Sequence, residues 1–194
     1  MKNITLVIFF SFVLVACDLF TTRDAETPDQ SRSNYEPPVE PSIVIQNLVN
    51  SLSDKNSQNY LACLVDPLYA QKSFSFSASS EAAANYQIFL QGWGATEEER
   101  YITSVFNNVS EDYPVSLTLS DENYGNLSGD SLIYTAQYNL NVPSSSLDNA
   151  SISYGGNLQF NMLRDSRSYW VIYFWKDTKS ESLSSWSELK GSSY

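Results

Sequence analysis

The chain has 194 residues, of which 22 are acidic and 11 basic, and it contains no histidine, so its formal net charge is −11. An acidic protein is a poor nucleic-acid binder, because phosphate contacts depend on Lys and Arg, and no nucleic-acid partner is expected. Without histidine, Ser-His-Asp and Cys-His catalytic arrangements are excluded and the commonest zinc ligand is missing. We therefore predict no catalytic residue, no metal site and no cofactor.

Residues 1–16 have the features of a secretory signal peptide. Lys2 supplies the positive start, and an apolar run follows from Ile4 to Val15. That run is too short for a transmembrane helix, which needs about 20 apolar residues. Cleavage after Ala16 would leave ten basic residues against 22 acidic ones.

The end of the apolar run, Leu14-Val15-Ala16-Cys17, resembles the lipobox of bacterial lipoproteins. That resemblance implies diacylglyceryl transfer to the sulfur of Cys17 and cleavage just before it. Two or more acyl chains hold a protein stably on a bilayer. The expected location is the cell envelope, anchored to a bacterial membrane, with inner or outer membrane left open. The alternative is an ordinary secretory leader that happens to end beside a cysteine.

Residues 17–41 form the predicted tether. The segment is polar and contains Pro28, Pro37, Pro38 and Pro41, so it has almost nothing to bury. Such a composition predicts disorder, stiffened where prolines cluster. The globular domain is therefore predicted to span residues 42–190.

The first half of this domain has helical periodicity. Apolar residues at helical spacing predict a helix from Ser42 to about Ser53, and a second short helix follows before Asp66-Pro67. Phe74 and Phe76 alternate with serines as in a short strand. A helix is predicted from Ser79 or Ser80 to about Leu90, and Thr96 with Glu99 resembles a capping box for another that ends near Asn108.

The second half changes to a period of two residues, which is typical of strands. The predicted strands are 115–119, 132–142, 152–162 and 169–175, and a turn-rich segment is predicted at 123–130. Gly155-Gly156 suggests a bend or bulge. The last strand is apolar on both faces and should be covered on both sides. A short final helix should dock through Trp186 and Leu189.

Helices followed by long antiparallel strands predict an α+β fold. The order is similar to the NTF2-like (SnoaL-like) cone, in which a curved antiparallel sheet of about four long strands packs on N-terminal helices around a cavity. The segments Ile45-Gln-Asn-Leu-Val and Trp170-Val-Ile-Tyr-Phe-Trp carry this resemblance, which extends over 42–190. Trp93, Tyr134, Tyr138 and Phe160 are the candidate lining of the cavity, or else simply core residues.

The acidic residues of the domain give no acid–base pair. No Asp or Glu lies on the apolar side of a predicted strand, and the carboxylates fall in caps and turns, which indicates a solvated surface: Glu97–Glu99, Asp121, Glu122, Asp130 and Asp165. The lone Cys63 is expected to be a buried small hydrophobe, since no base is available to activate it.

The sequence leaves two candidate functions. The first is a membrane-anchored, non-catalytic binding or assembly domain of the cell envelope, with a protein partner or a homodimer through the sheet. The alternative is an envelope enzyme of isomerase or dehydratase type that acts on a small apolar or ring-containing molecule in the cone. Fold analogy alone does not choose between them.

Overall fold

The computed structural model describes residues 34–109, 112–144 and 151–194, apart from the side chains of 126–128. The predicted signal peptide, Cys17 and most of the predicted tether lie outside these ranges. Within the described ranges there are five α-helices: α1 Pro41–Ser53, α2 Ser57–Ala62, α3 Ser80–Asn85, α4 Ala95–Asn108 and α5 Trp186–Ser193. A 3₁₀ turn covers Gln87–Gln91.

The described residues form one five-stranded sheet, whose four long strands lie between α4 and α5 in the chain. Its strands are β1 Ser75–Ser77, β2 Ser116–Ser128, β3 Ser131–Pro143, β4 Ser151–Arg164 and β5 Trp170–Lys179, in the spatial order β1-β5-β4-β3-β2. The four long strands pair antiparallel, and short β1 lies parallel to β5. The predicted α+β class with about four long antiparallel strands is confirmed.

The sheet has an inner face against the helices and an outer face of polar side chains. Alternate residues of β3, from Leu132 to Val142, are buried on the inner face, as the period of two predicts. Helix α1 packs against β2 and β5, and α5 packs against β4 and β5. The core therefore lies between the inner face and the helices.

A bulge in β5 changes which residues point inward. Ile172 pairs with Met162 and Phe174 pairs with Asn161, so Tyr173 is the extra residue. Since Met162 and Phe160 both lie on the inner face, their partners Ile172 and Trp175 both point inward. The inner face of β5 then continues two residues later at Asp177, beyond the predicted end of this strand.

Strand β2 is much longer than predicted. The ladder to β3 breaks between Ser120 and Asn123, where Asp121 has a φ of 51°, and then resumes with Asn123 opposite Thr135. The predicted turn over 123–130 is therefore wrong for most of its length. Only the tight connection at Gly129–Asp130 remains, because the bulge lets the turn-forming residues continue the ladder.

Two helix predictions need correction. The helix predicted from Ser79 or Ser80 to Leu90 ends at Asn85 and is followed by the 3₁₀ turn. The N-cap of helix α4 is Gly94, two residues before the predicted Thr96, and the Glu97 carboxylate accepts a hydrogen bond from the Gly94 N–H at 3.0 Å. Gly94 has no side chain, so only half of a capping box exists here.

Gly155 and Gly156 do not form a bulge. They let neighbouring groups approach the backbone of β4 closely. The β3–β4 ladder runs through both residues without a break. A Cβ on Gly156 would lie 2.3 Å from the Thr178 carbonyl oxygen and 2.9 Å from the Tyr138 hydroxyl. Only glycine fits at this crossing.

Part of the segment assigned to the tether packs on the domain. The Asn47 side chain donates to the Glu36 carbonyl at 2.7 Å and accepts from the Glu36 N–H at 2.9 Å. The Trp170 N–H donates to the Pro38 carbonyl at 2.8 Å. Residues 34–40 are thus held against α1 and the start of β5.

Candidate functional site

A buried ion pair lies between α4 and α5. The Lys190 ammonium donates to Oε1 of Glu98, and neither side chain has any exposed surface. Glu98 also accepts from the Tyr60 hydroxyl at 2.5 Å and from the Trp93 indole N–H at 2.6 Å. The carboxylate therefore has three donors, which offset the cost of removing it from water.

Aromatic rings surround the ammonium group of Lys190. Its Nζ lies 4.0 Å from the ring centroid of Trp175, 4.4 Å from Phe76, 4.7 Å from Tyr101 and 5.5 Å from Trp93. Ring faces attract a cation, and more so where water is excluded. The cage and Glu98 together hold the charge of Lys190 inside the domain.

A second polar cluster centres on Asp177. Its carboxylate accepts from the Tyr138 hydroxyl at 2.8 Å, from the Ser187 N–H at 2.8 Å and from the Ser187 hydroxyl at 2.5 Å. The Tyr138 hydroxyl in turn accepts from the Trp186 N–H at 2.7 Å. Asp177 thus ties the first turn of α5 to the inner face of the sheet.

Burial shifts the titration of these groups. Burial lowers the pKa of Lys190 to about 8, against the opposing attraction of Glu98. Burial raises the pKa of Asp177, against the opposing hydrogen bonds from Ser187 and Tyr138. Burial also raises the pKa of Tyr60 and of Tyr138, and in each case a neighbouring carboxylate adds to the rise. The two tyrosines therefore act as hydroxyl donors near neutral pH.

The four predicted lining residues are all buried. Trp93 lies beside Glu98, and Tyr138 beside Asp177. Tyr134 and Phe160 stack on the inner face with centroids 5.9 Å apart, and Tyr134 donates to Glu122 at 2.7 Å. The sequence therefore places them on the correct side of the sheet, and their lining of a cavity stays a prediction.

The expectation that no acidic residue faces the interior is wrong. Glu98 and Asp177 are buried, and so is Asp165, which pairs with Arg167 at 2.6 Å. Cys63 is a free, buried thiol, as expected, and burial raises its pKa well above the usual range. The interior is a network of paired charges and hydroxyls inside an aromatic core.

Each missed residue has a signal in the sequence. Glu98 comes three residues before Tyr101, on the face of α4 that the apolar pattern buries. Lys190 comes four residues after Trp186, on the docked face of α5. Asp177 follows Trp175 at strand spacing.

Hydrogen-bond satisfaction of this core is nearly complete. Among the described residues, the indole N–H of Trp175 is the buried side-chain polar group without a partner. Its ring meets those of Phe160 and Trp186 edge-on, at centroid distances of 5.0 and 4.6 Å. The Trp175 ring thus packs between Phe160 of the sheet and Trp186 of α5.

The outer face of the sheet has a different chemistry. Two cross-strand rows lie side by side: Thr135, Gln159 and Lys176, and Gln137, Asn157 and Thr178. Together with Asp121 and the backbone around them, these residues line a cavity of about 230 Å³. The cavity offers amide and hydroxyl groups and has one basic and one acidic side chain.

The described residues hold no group of three or more Cys, Asp or Glu placed to bind a metal ion. Within those residues, no helix has both the length and the apolar content to cross a bilayer.

Comparison with solved structures finds the same architecture in bacterial proteins. A proposed aromatic ring hydroxylase from Novosphingobium aromaticivorans is 14% identical, with a TM-score of 0.58 over 77% of this chain and 92% of that one. A proposed dehydratase of the NTF2-like family from Streptomyces avermitilis is 11% identical, with a TM-score of 0.54 over 73% and 94% of the two chains.

An NTF2-like superfamily protein from Salmonella enterica is also 11% identical, with a TM-score of 0.51 over 72% of this chain and 88% of that one. No family model matches the sequence, and no curated protein matches it. The chain has an NTF2-like fold, as the sequence predicts. At such low identity, the likeness concerns the fold alone.

Proposed function

We propose that the protein is lipid-anchored in the bacterial cell envelope and that its NTF2-like domain is a non-catalytic binding or assembly module. The observation that carries this is the sealed ion pair: Glu98 and Lys190 are each other's partners and have no exposed surface. A catalytic acid or base must reach a proton on its substrate. These groups reach only each other and the surrounding side chains.

The Asp177 cluster supports the same function. Two of its three donors come from Ser187 on α5, and Trp186 of that helix covers Tyr138 with ring centroids 5.5 Å apart. A substrate would have to displace α5 to reach the carboxylate. The polar interior is therefore best explained as the attachment of the last helix.

The outer face of the sheet is the surface we assign to the partner. It is rich in uncharged amide and hydroxyl groups, in a protein whose net charge is −11. A second copy of this chain could approach there with less repulsion than at an acidic surface. Sedimentation of wild type and of Gln137→Glu with Asn157→Glu tests self-association, which the added charges should weaken.

The enzyme alternative is favoured by one observation. Asp177 has a raised pKa and hydrogen-bonds to Tyr138 inside the domain, and a buried carboxyl group with a shifted pKa is a candidate acid or base. Several proteins of the same fold are described as a dehydratase or hydroxylase. This function requires the α5 helix to open.

Indole binding tests whether the interior is sealed. We expect indole to leave the melting temperature of the wild type unchanged. It should stabilise Trp93→Ala, because the vacated space matches the ring. Saturable indole binding by the wild type, with NMR shifts at Tyr138 and Phe160, would instead favour a ligand-binding or enzymatic interior.

Lipidation is tested separately in a diderm bacterial host. The wild type should incorporate a labelled fatty acid and sediment with membranes, and Cys17→Ala should do neither. Cys63→Ala is the matched control, because this buried thiol should not change labelling. Equal labelling of wild type and Cys17→Ala would refute the anchor.

A further inference from the structure

The N-terminal segment of the described domain passes close to an exposed apolar turn. Pro38 accepts a hydrogen bond from Trp170 at the start of β5. Tyr35 and Pro38 line a cavity of about 360 Å³ with residues of the loop after α2 and of the β4–β5 hairpin, including Asp66, Arg167 and Tyr169. Asn34, the first described residue, lies beside the last turn of α1: its side chain donates to Asp54 at 3.1 Å, and its carbonyl accepts from Asn50 at 3.1 Å.

The turn at Pro67–Tyr69 presents Leu68 to solvent. Leu68 is 85% exposed, the highest value among the large apolar side chains that the structure describes. The turn is firmly held: Asp66 accepts from the N–H groups of Leu68 at 2.9 Å and Tyr69 at 3.0 Å, and the Tyr69 carbonyl accepts from Ser166 at 2.9 Å. The exposed leucine is therefore displayed by a fixed backbone.

Basic side chains flank this turn. The Arg167 guanidinium lies 3.8 Å from the ring centroid of Tyr69 and pairs with Asp165. Arg164 is exposed at the end of β4, and exposed Lys72 lies 3.9 Å from the ring of Tyr173. Val39, which is half exposed, directly follows Pro38. We call Val39, Leu68, Tyr69, Arg164 and Arg167 the Leu68 surface.

We propose that the Leu68 surface rests on the lipid bilayer to which the chain is anchored. An exposed leucine can enter the interface, a tyrosine prefers the headgroup level, and Lys and Arg are attracted to anionic lipids. This proposal deepens the anchored function and rests on it.

The short distance along the chain from Cys17 explains why a small contact surface is enough to orient the domain. Cys17 is 17 residues before Asn34, a distance of at most about 60 Å and of roughly 20–25 Å for a flexible coil. Such tethering gives an effective concentration of roughly millimolar. A contact too weak to recruit the protein by itself can therefore orient it once it is attached.

The test anchors the protein without relying on native lipidation. A polyhistidine tag replaces residues 1–17 and binds nickel-chelating lipid in vesicles of phosphatidylethanolamine and phosphatidylglycerol. Leu68→Cys carries an environment-sensitive NBD label, and Cys63 does not react because it is only 1% exposed. Leu90→Cys is the matched control, since Leu90 is 77% exposed on the 3₁₀ turn.

We expect the NBD emission at position 68 to shift to the blue and increase on vesicles, while the emission at position 90 stays unchanged. Arg164→Gln with Arg167→Gln should reduce the shift at position 68, and high salt should do the same. No shift at position 68, or an equal shift at both positions, overturns the proposal. Failure of fatty-acid labelling would refute lipidation and leave this result standing.

Discussion

The same strands form the inner and outer faces of the sheet, but polar residues are buried and paired on the inner face and open to solvent on the outer face. On the inner face, Asp177 and the Glu98–Lys190 pair nearby are buried and satisfied by named partners. On the outer face, Gln137 and Asn157 line an open cavity. Buried polar groups that hold each other specify a structure. Polar groups that face solvent are available to a partner.

The largest expected effect tests the ion pair. Lys190→Ala leaves the Glu98 carboxylate buried without its countercharge and should lower the free energy of unfolding by about 3–5 kcal/mol. Lys176→Ala, on the outer face, should change it by less than about 0.5 kcal/mol. Urea denaturation measures both, and equal losses would remove the distinction between the two faces.

Gly156→Ala probes the tightest approach on the inner face. The new Cβ would meet the Thr178 carbonyl at 2.3 Å, so we expect a loss of about 3 kcal/mol. Gly129→Ala is the matched control, because a Cβ there meets nothing within 4 Å. Thermal unfolding of both variants checks this, and a stable Gly156→Ala protein would contradict the packing of β4 on β5.

Asp177→Asn tests the attachment of α5 more gently. The amide keeps one acceptor oxygen but presents an N–H₂ group where Ser187 donates, so unfolding should become easier by about 1–3 kcal/mol. Amide hydrogen exchange should rise first in α5. Exchange that rises uniformly over the sheet instead would mean that Asp177 does not specifically hold this helix.

The pH dependence of stability has a defined sign. Lys190 has a usual pKa of 10.5 and a folded pKa of about 8, so between these values the unfolded chain binds a proton that the folded chain lacks. The free energy of unfolding should therefore rise with pH across this window.

The comparison for this pH effect is the double variant Lys190→Met with Glu98→Gln, which removes both charges while keeping their shape. The difference between wild type and this variant cancels groups away from the pair, and a comparison up to pH 9.5 stays below the usual tyrosine pKa of 10.0. A wild type whose stability falls relative to the variant from pH 8 to 9.5 would contradict the lowered pKa.

Local sequence patterns predicted much of the fold. The spacing of Ile45, Leu48 and Leu52 predicts α1, and the alternation from Leu132 to Val142 predicts β3, because each element buries one face. Periodicity does not show where a ladder breaks. Bulges at Asp121 and Tyr173 therefore decided the length of β2 and the inward position of Trp175.

The candidate site was half predicted. Trp93, Tyr134, Tyr138 and Phe160 are apolar or aromatic at regular spacing, and this pattern places them inside. Glu98 and Lys190 were missed because a charged residue is expected at the surface, and only its partner makes burial favourable. That partner is 92 residues away in the chain.

The sequence alone determined the charge, the absence of histidine chemistry, the α+β order and the lipobox-like start, because these depend on composition and local pattern. Only the tertiary structure decided that Lys190 from the last helix enters an aromatic cage beside Glu98. It also decided that Leu68 stands exposed on a turn that Ser166 holds. Both depend on contacts between residues far apart in the chain, which no local pattern records.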